Sequence, residues 1–193
     1  LAIDSCRKAG VGVVLVPTVI KSINDHELGD ILNFGRDNID AVRAISYQPV
    51  SLTGRMKKQE REKYRITIPD CIDRIEEQTN GEVTKEAWFP VPSCSPVTHF
   101  VESLTKKPQY DLSIHFACGA GTYVFQDPDS KRLVPITDFV DLSGLLEFLE
   151  ERSEEIESGG SRYLAAAKFL TKINSFIDKK KQPKGMSLAK TLV

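Results

Sequence analysis

The chain has 193 residues, 40% of them hydrophobic and 27% charged, which excludes a disordered or fibrous protein and is enough for one substantial core or two small ones. Lys and Arg total 26 against 27 for Asp and Glu, so no global field draws in nucleic acid or an anionic membrane. No run approaches the roughly 20 apolar residues of a membrane span and no signal sequence leads the chain, so it reads as soluble and intracellular.

The opening, Leu1 to Gly10, reads as the end of an amphipathic helix that runs into a glycine stop, an unusual place for a natural start. Residues 11–20 form a continuous apolar, β-branched run, the pattern of a strand buried on both faces of a parallel sheet, with a bend at Pro17. Asn24 with Glu27 three residues later reads as the cap of a helix carrying Leu28, Ile31, Leu32 and Phe34 and ending near Asn38. A second strand is predicted over 41–50. Helix, strand, helix, strand makes a parallel βαβ unit. Two strands cannot close a parallel sheet, so further strands are expected upstream of Leu1.

Residues 54–66 are densely charged and read as a solvated connection with some helix. Thr67-Ile68-Pro69-Asp70 signals a helix from Asp70 to Gln78, with Cys71, Ile72 and Ile75 on its apolar side and Asn80-Gly81 as its stop. Trp88 reads as a core anchor in the loop that leads to a helix from Ser95 to about Leu104. Strands are expected over 110–116, 122–126 and 133–136, with a tight turn at Gly119-Ala120-Gly121. Helices over 142–157 and 162–179 follow, and 179–185 reads as a frayed tail. Gly119-Ala120-Gly121 lacks the rest of a dinucleotide fingerprint.

Gln48 to Arg55 lies at the carboxyl end of a buried parallel strand, where barrel and open α/β enzymes place ligands. Gln48 and Ser51 can hydrogen-bond a substrate, and Arg55 can pair a carboxylate or phosphate. A polar loop capping the next segment is the alternative. Pro17 to Ile20 occupies the same rim, either as a strand end or as backbone groups that hold an adenine edge. Cys94, His99, His115 and Cys118 form a second constellation, with the thiols in loops where they can turn toward one metal centre. Small buried residues are the competing account. Cys6 and Cys71 sit on apolar helix stripes and read as packing residues. With three histidines and no HExxH pattern, hydrolytic catalysis has little to use.

The stretch Val13 to Ile31, with Asn24-Asp25-His26-Glu27 and Ile31, resembles the fifth strand and following helix of radical S-adenosylmethionine (SAM) partial barrels. Ile45 to Arg55 is similar to the sixth strand of a narrower archaeal group, which includes the tetraether lipid synthases and the dihydropterin methylases of methanopterin biosynthesis. Thr67-Ile68-Pro69-Asp70, Arg74 to Thr79, Phe89 to Pro92, His99 to Glu102 and Cys118 to Val124 resemble that group's C-terminal half, over about residues 1–148.

The fold this implies is α/β: the C-terminal portion of a radical SAM partial (β/α)6 barrel, followed by a small mixed α/β module and C-terminal helices. The expected divisions are 1–55 for the last βαβ portion, 56–66 for a charged connection, 67–141 for the module and 142–193 for helices and a basic tail. In the family, a CxxxCxxC trio holds a [4Fe-4S] cluster that binds SAM and yields a 5′-deoxyadenosyl radical. That trio is absent here, so the resemblance implies a fragment inactive by itself, with the main ligands upstream. It implies that Pro17, Thr18, Ile20, Gln48 and Pro49 flank SAM, that Ser51 and Arg55 meet the substrate, and that Cys94 and Cys118 are ligands of an auxiliary iron–sulfur cluster. It also implies a lipid or pterin substrate and a one-electron reductant such as ferredoxin or flavodoxin. The expected location is cytoplasmic, or membrane-associated through a lipid substrate. The rival reading is a non-catalytic SAM-like binding or regulatory module that lacks the cluster.

Overall fold

The computed structural model describes residues 1–111 and 113–186. It is a mixed α/β chain that divides into two compact units, Leu1–Lys85 and Glu86–Val193. Residues 187–193, the last of the expected basic tail, and Leu112 in the expected strand over 110–116 lie outside the described residues.

In the first unit, α1 (Ala2–Ala9) stops at Gly10, which takes the left-handed conformation that glycine adopts without steric cost. Arg7 ties α1 to the turn before the second strand by pairing with Asp40 and donating to Asn38 Oδ1 at 2.9 Å. The helix buries no residue fully, so Cys6 is half-buried at its base and not a core residue.

The two apolar runs are parallel neighbours. β1 (Val13–Leu15) pairs with β3 (Val42–Ile45), and β2 (Thr18–Val19) pairs with β4 (Gln48–Pro49). The register is continuous across both ladders, from Val14 opposite Ala44 to Val19 opposite Pro49. Carbonyls of Leu15, Pro17 and Val19 accept from the amides of Ser46, Gln48 and Val50 in turn at 2.8, 2.9 and 2.9 Å. Pro17 has no N–H to donate back, and the missing rung splits one ladder into two. An irregularity between Val13 and Val14 pushes Arg43 out, against Gly12.

Between the strands lies α2 (Leu28–Asp37), which packs Gly35 against Ile45 and Val42. Burial on both strand faces does not hold: Val14 and Val16 are 54% and 62% exposed, and Ala44 is exposed beside them. One helix layer covers one face, while Val19 and Leu28 are fully buried on the covered side. Among the described residues there is no closed barrel, and each of the four sheets has two strands.

After α3 (Lys58–Tyr64), α4 (Ile68–Gln78) starts with a capping box, in which Thr67 Oγ1 accepts from Asp70 N–H and the Asp70 carboxylate accepts from Thr67 N–H. Cys71 and Ile75 are buried on its inner side, with Ile66 and Val83 beside them in the core of this unit.

In the second unit, β5 (Phe89–Pro90) pairs antiparallel with β6 (Ala120–Gly121), then a 3₁₀ turn over Val91–Cys94 leads into α5 (Ser95–Thr105). Trp88 is half-buried before β5 and is not a full core anchor. The described residues of 110–116 form no strand: Tyr110 and Phe116 are 80% and 67% exposed, and the edge of β5 is taken by β6. Part of the expected glycine turn is therefore strand. β7 (Val124–Gln126) and β8 (Leu133–Pro135) form a hairpin whose turn is organised by the Asp127 carboxylate, which accepts from Asp129 N–H, Ser130 N–H and Ser130 Oγ.

Helices α6 (Leu142–Glu157) and α7 (Arg162–Lys172) pack with α5 around Phe100, Phe148, Leu149, Ile156 and Ala165. Phe100 and Phe169 rings approach to 5.4 Å. The second of these helices ends earlier than expected, passing into a 3₁₀ turn at Ile173–Phe176. Residues 178–186 are not frayed. Asp178 N–H donates to Phe139 C=O at 2.7 Å, Lys184 pairs with Asp129, and Pro183 is buried.

Candidate functional site

The carboxyl ends of β2 and β4 form a rim on the first unit. Thr18 lies opposite Gln48 and Val19 opposite Pro49 in parallel register. Paired residues of a sheet share a face, and Thr18 and Gln48 are both exposed, on the side of Val14, Ala44 and Val16. A polar end thus follows an apolar strip. Pro17, Ile20 and Pro49 are half-buried around it. Gln48 Nε2 donates to Ser46 Oγ at 2.6 Å, which folds the side chain over its own strand. Ser51 and Arg55 are exposed in the loop beyond β4.

Asn24 braces this rim, and Asp25 and Gln78 hold the loop that carries it. Asn24 was expected to cap a helix, but the helix begins at Leu28 and Asn24 instead turns back to the strand. Its Oδ1 accepts from Ile20 N–H at 2.8 Å and its Nδ2 donates to Thr18 C=O at 2.9 Å. The adjacent Asp25 is buried; its carboxylate accepts from Ser22 N–H at 2.7 Å and faces Arg74 at 3.6 Å. From α4, Gln78 donates to Asp25 C=O at 2.8 Å and accepts from Gly29 N–H at 2.9 Å. His26 faces solvent as expected.

Below the rim, Tyr47 hydroxyl donates to Leu28 C=O at 2.7 Å, and its titration is pushed well above the phenol range, chiefly by burial. Cys71 is pushed up to about 11, first by burial and then by Asp70 and Asp25. Such a thiol stays protonated and packs as a small apolar group, as the sequence indicated.

Cys94 and Cys118 lie on the second unit. Val91 N–H donates to Gly119 C=O at 3.1 Å, continuing the β5–β6 ladder. Cys94 follows Val91 by three residues and Cys118 precedes Gly119, so the ladder brings both segments to one end. Cys94 is half-buried and burial raises its titration; Cys118 is exposed. His115 accepts from Cys118 N–H through its carbonyl at 2.8 Å, whereas His99 faces Glu150 at 3.4 Å across α5 and α6. Among the described residues no three His, Cys, Asp or Glu side chains converge as a metal's ligands. A four-iron cluster takes about three or four thiolate-type ligands. Cys94 and Cys118 supply two, so they do not make a complete cluster site.

The braces were not read from the sequence as parts of a site. Asn24 carried a signal, an amide just past an apolar strand, which helix capping explained equally well. Gln78 is 49 residues from Gly29, and nothing local marks their contact.

No family model matches the chain. Compared with known proteins, it is similar to a pterin methyltransferase. That relative is the 7,8-dihydro-6-hydroxymethylpterin dimethyltransferase of Methanocaldococcus jannaschii, 44% identical over 192 residues. The similarity spans 98% of this chain and 38% of the relative's length. The resemblance to the dihydropterin methylases holds at this identity. No helix among the described residues is long and apolar enough to cross a membrane.

Proposed function

We propose that this chain is part of a radical SAM pterin methyltransferase, to which it contributes one side of the SAM rim. The observation that carries the reading is its 44% identity, over nearly its whole length, to a relative named for dimethylating a pterin. The rim geometry supports it: two parallel strand ends place Thr18 and Gln48 together on an exposed face that continues into Val14 and Val16. An adenosyl group has the same division, an apolar ring face and a polar sugar and edge. Pro17, Ile20 and Pro49 would pack against it, and Ser51 and Arg55 would meet the pterin. Both strands would be the last staves of a partial barrel. The lipid-coupling variant has no supporting observation here.

Bound SAM, reduced at a [4Fe-4S] cluster, would supply a 5′-deoxyadenosyl radical able to take hydrogen from an unactivated carbon. The cluster ligands and the one-electron reductant, ferredoxin or flavodoxin, come from outside this chain, so the chain by itself would be inactive. Cys94 and Cys118 would join an auxiliary iron–sulfur centre only with donors beyond those described.

The test is an anaerobic assay of the protein that carries this chain, with SAM, a reductant and 7,8-dihydro-6-hydroxymethylpterin. Methylated pterin with 5′-deoxyadenosine is the expected outcome. SAM binding without turnover would point instead to a binding module that lacks the cluster. Iron and sulfide content compared with a Cys94→Ala, Cys118→Ala double variant tests the thiols. Equal iron in both removes them as ligands.

A further inference from the structure

The backbone of β2 presents its polar groups alternately to two edges. Pro17 and Val19 carbonyls face β4, where they accept from Gln48 and Val50 amides. Thr18 C=O and Ile20 N–H therefore face the opposite edge, the one a further strand would use. In a parallel ladder, one residue of such a strand donates its N–H to a carbonyl and accepts the N–H two residues further along. The Asn24 carboxamide makes this same pair of bonds, donating to Thr18 C=O at 2.9 Å and accepting from Ile20 N–H at 2.8 Å.

We infer that Asn24 is a positioning residue that stands in for one residue of a neighbouring strand, blocking pairing at Thr18–Ile20 and holding the rim open for the adenosyl group. The inference rests on the reading of this rim as a SAM site. Any strand that pairs along Val13–Leu15 must part from β2 before Thr18, and the parting leaves a crevice over the strand end, the place where open α/β sheets receive ligands. Asn24 also uses the Ile20 N–H, so the adenosyl edge meets the remaining lone pair of Thr18 C=O and the exposed side chains of Thr18 and Gln48. Both bonds together fix the backbone over three residues. The loop that carries Asn24 is held separately, by Asp25 to Ser22 N–H and by Gln78 to Asp25 C=O.

The experiment is titration of the protein that carries this chain with SAM, and separately with the pterin, for wild type, Asn24→Ala, Asn24→Asp and Gln78→Ala. Asn24→Ala should weaken SAM binding about tenfold and leave pterin affinity within about twofold. Asn24→Asp keeps the acceptor for Ile20 N–H and loses the donor to Thr18, so it should fall between. Gln78→Ala removes loop bonds without touching β2, and should lower the melting temperature while SAM affinity stays within about twofold. SAM binding by Asn24→Ala equal to wild type overturns the inference, as does an equal loss of SAM and pterin affinity, or an equal effect of Gln78→Ala. A wild-type protein that binds no SAM overturns the reading of the rim itself.

Discussion

Gly29 of α2 and Gln78 of α4 approach so closely that a methyl group on Gly29 would lie 2.7 Å from Gln78 Cβ and 2.9 Å from its backbone carbonyl. At the same point the Gln78 side chain accepts the Gly29 N–H, one of the unpaired donors of the first turn of α2. The two helices meet through backbone at this position, and the loop bearing Asn24 and Asp25 is fastened beside it.

Gly29→Ala is therefore expected to destabilise the protein despite the better helix propensity of alanine, which is about 1 kcal/mol. Backbone cannot yield as a flexible side chain does, so the net loss should be about 1–3 kcal/mol, the ordinary cost of overpacking. Urea unfolding measures it. Gly35→Ala is the comparison, since its methyl's tightest contact is a side-chain end, Ile45 Cδ1 at 2.8 Å, and not backbone, and it should cost less.

Loss of the capping box should be felt in acid. Asp70 is held below its ordinary value by Thr67, through its hydroxyl first and its backbone N–H second. A depressed carboxyl contributes stability that is present above the unfolded value, near about 4, and is lost as pH falls through the lower folded value. Thr67→Ala should cost about 1 kcal/mol near neutral pH and flatten this acid limb. Unfolding followed between about pH 2 and about pH 6 reads both effects.

Cys71 should be inert in the folded protein. Raised to about 11 by burial, it is a thiol at pH 8, and thiolate is the reactive form. The sign is opposite to that of Asp70: the contribution is present below the unfolded thiol value of about 8.5 and is lost as pH rises through the folded one. Iodoacetamide labelling at about pH 8 should be at least about tenfold slower at Cys71 in buffer than in urea. Labelling at equal rates would show that the α4 face opens in the native state.

Phe100 carries the core of the second unit, touching the ring of Phe169 and grouped with Phe148, Leu149, Ile156 and Ala165. Phe100→Ala should cost about 3–5 kcal/mol, the range for deleting a buried aromatic ring. Calorimetry should show the loss in that unit's transition. A loss below about 1 kcal/mol would mean that the three helices close over the gap.

Much of the chain was legible. Periodic apolar residues fix α6, whose predicted bounds, 142–157, are those observed. Thr67-Ile68-Pro69-Asp70 carries its capping box in four consecutive residues, so it too was readable. The segment 110–116 was not, because its alternating side chains describe a strand whether or not a partner edge is open, and Phe89–Pro90 was already paired with Ala120–Gly121. The tail failed for a related reason. Its lysine run is exposed, as it reads, but Lys184 pairs with Asp129, 55 residues away, and Pro183 is buried.

The sequence by itself determined that two β-branched runs would be parallel strands joined by a helix. A continuous apolar, β-branched run is a local signal that one stretch of chain states on its own. Tertiary structure alone decided that one strand face stays uncovered, and that Asn24 leaves its helix to bond the strand edge. It also decided that Gln78 closes the loop around Asp25. Each depends on which edge, carbonyl or helix face the rest of the fold leaves free. A side-chain amide has equally good partners in many places until the backbone fixes one of them within about 3 Å.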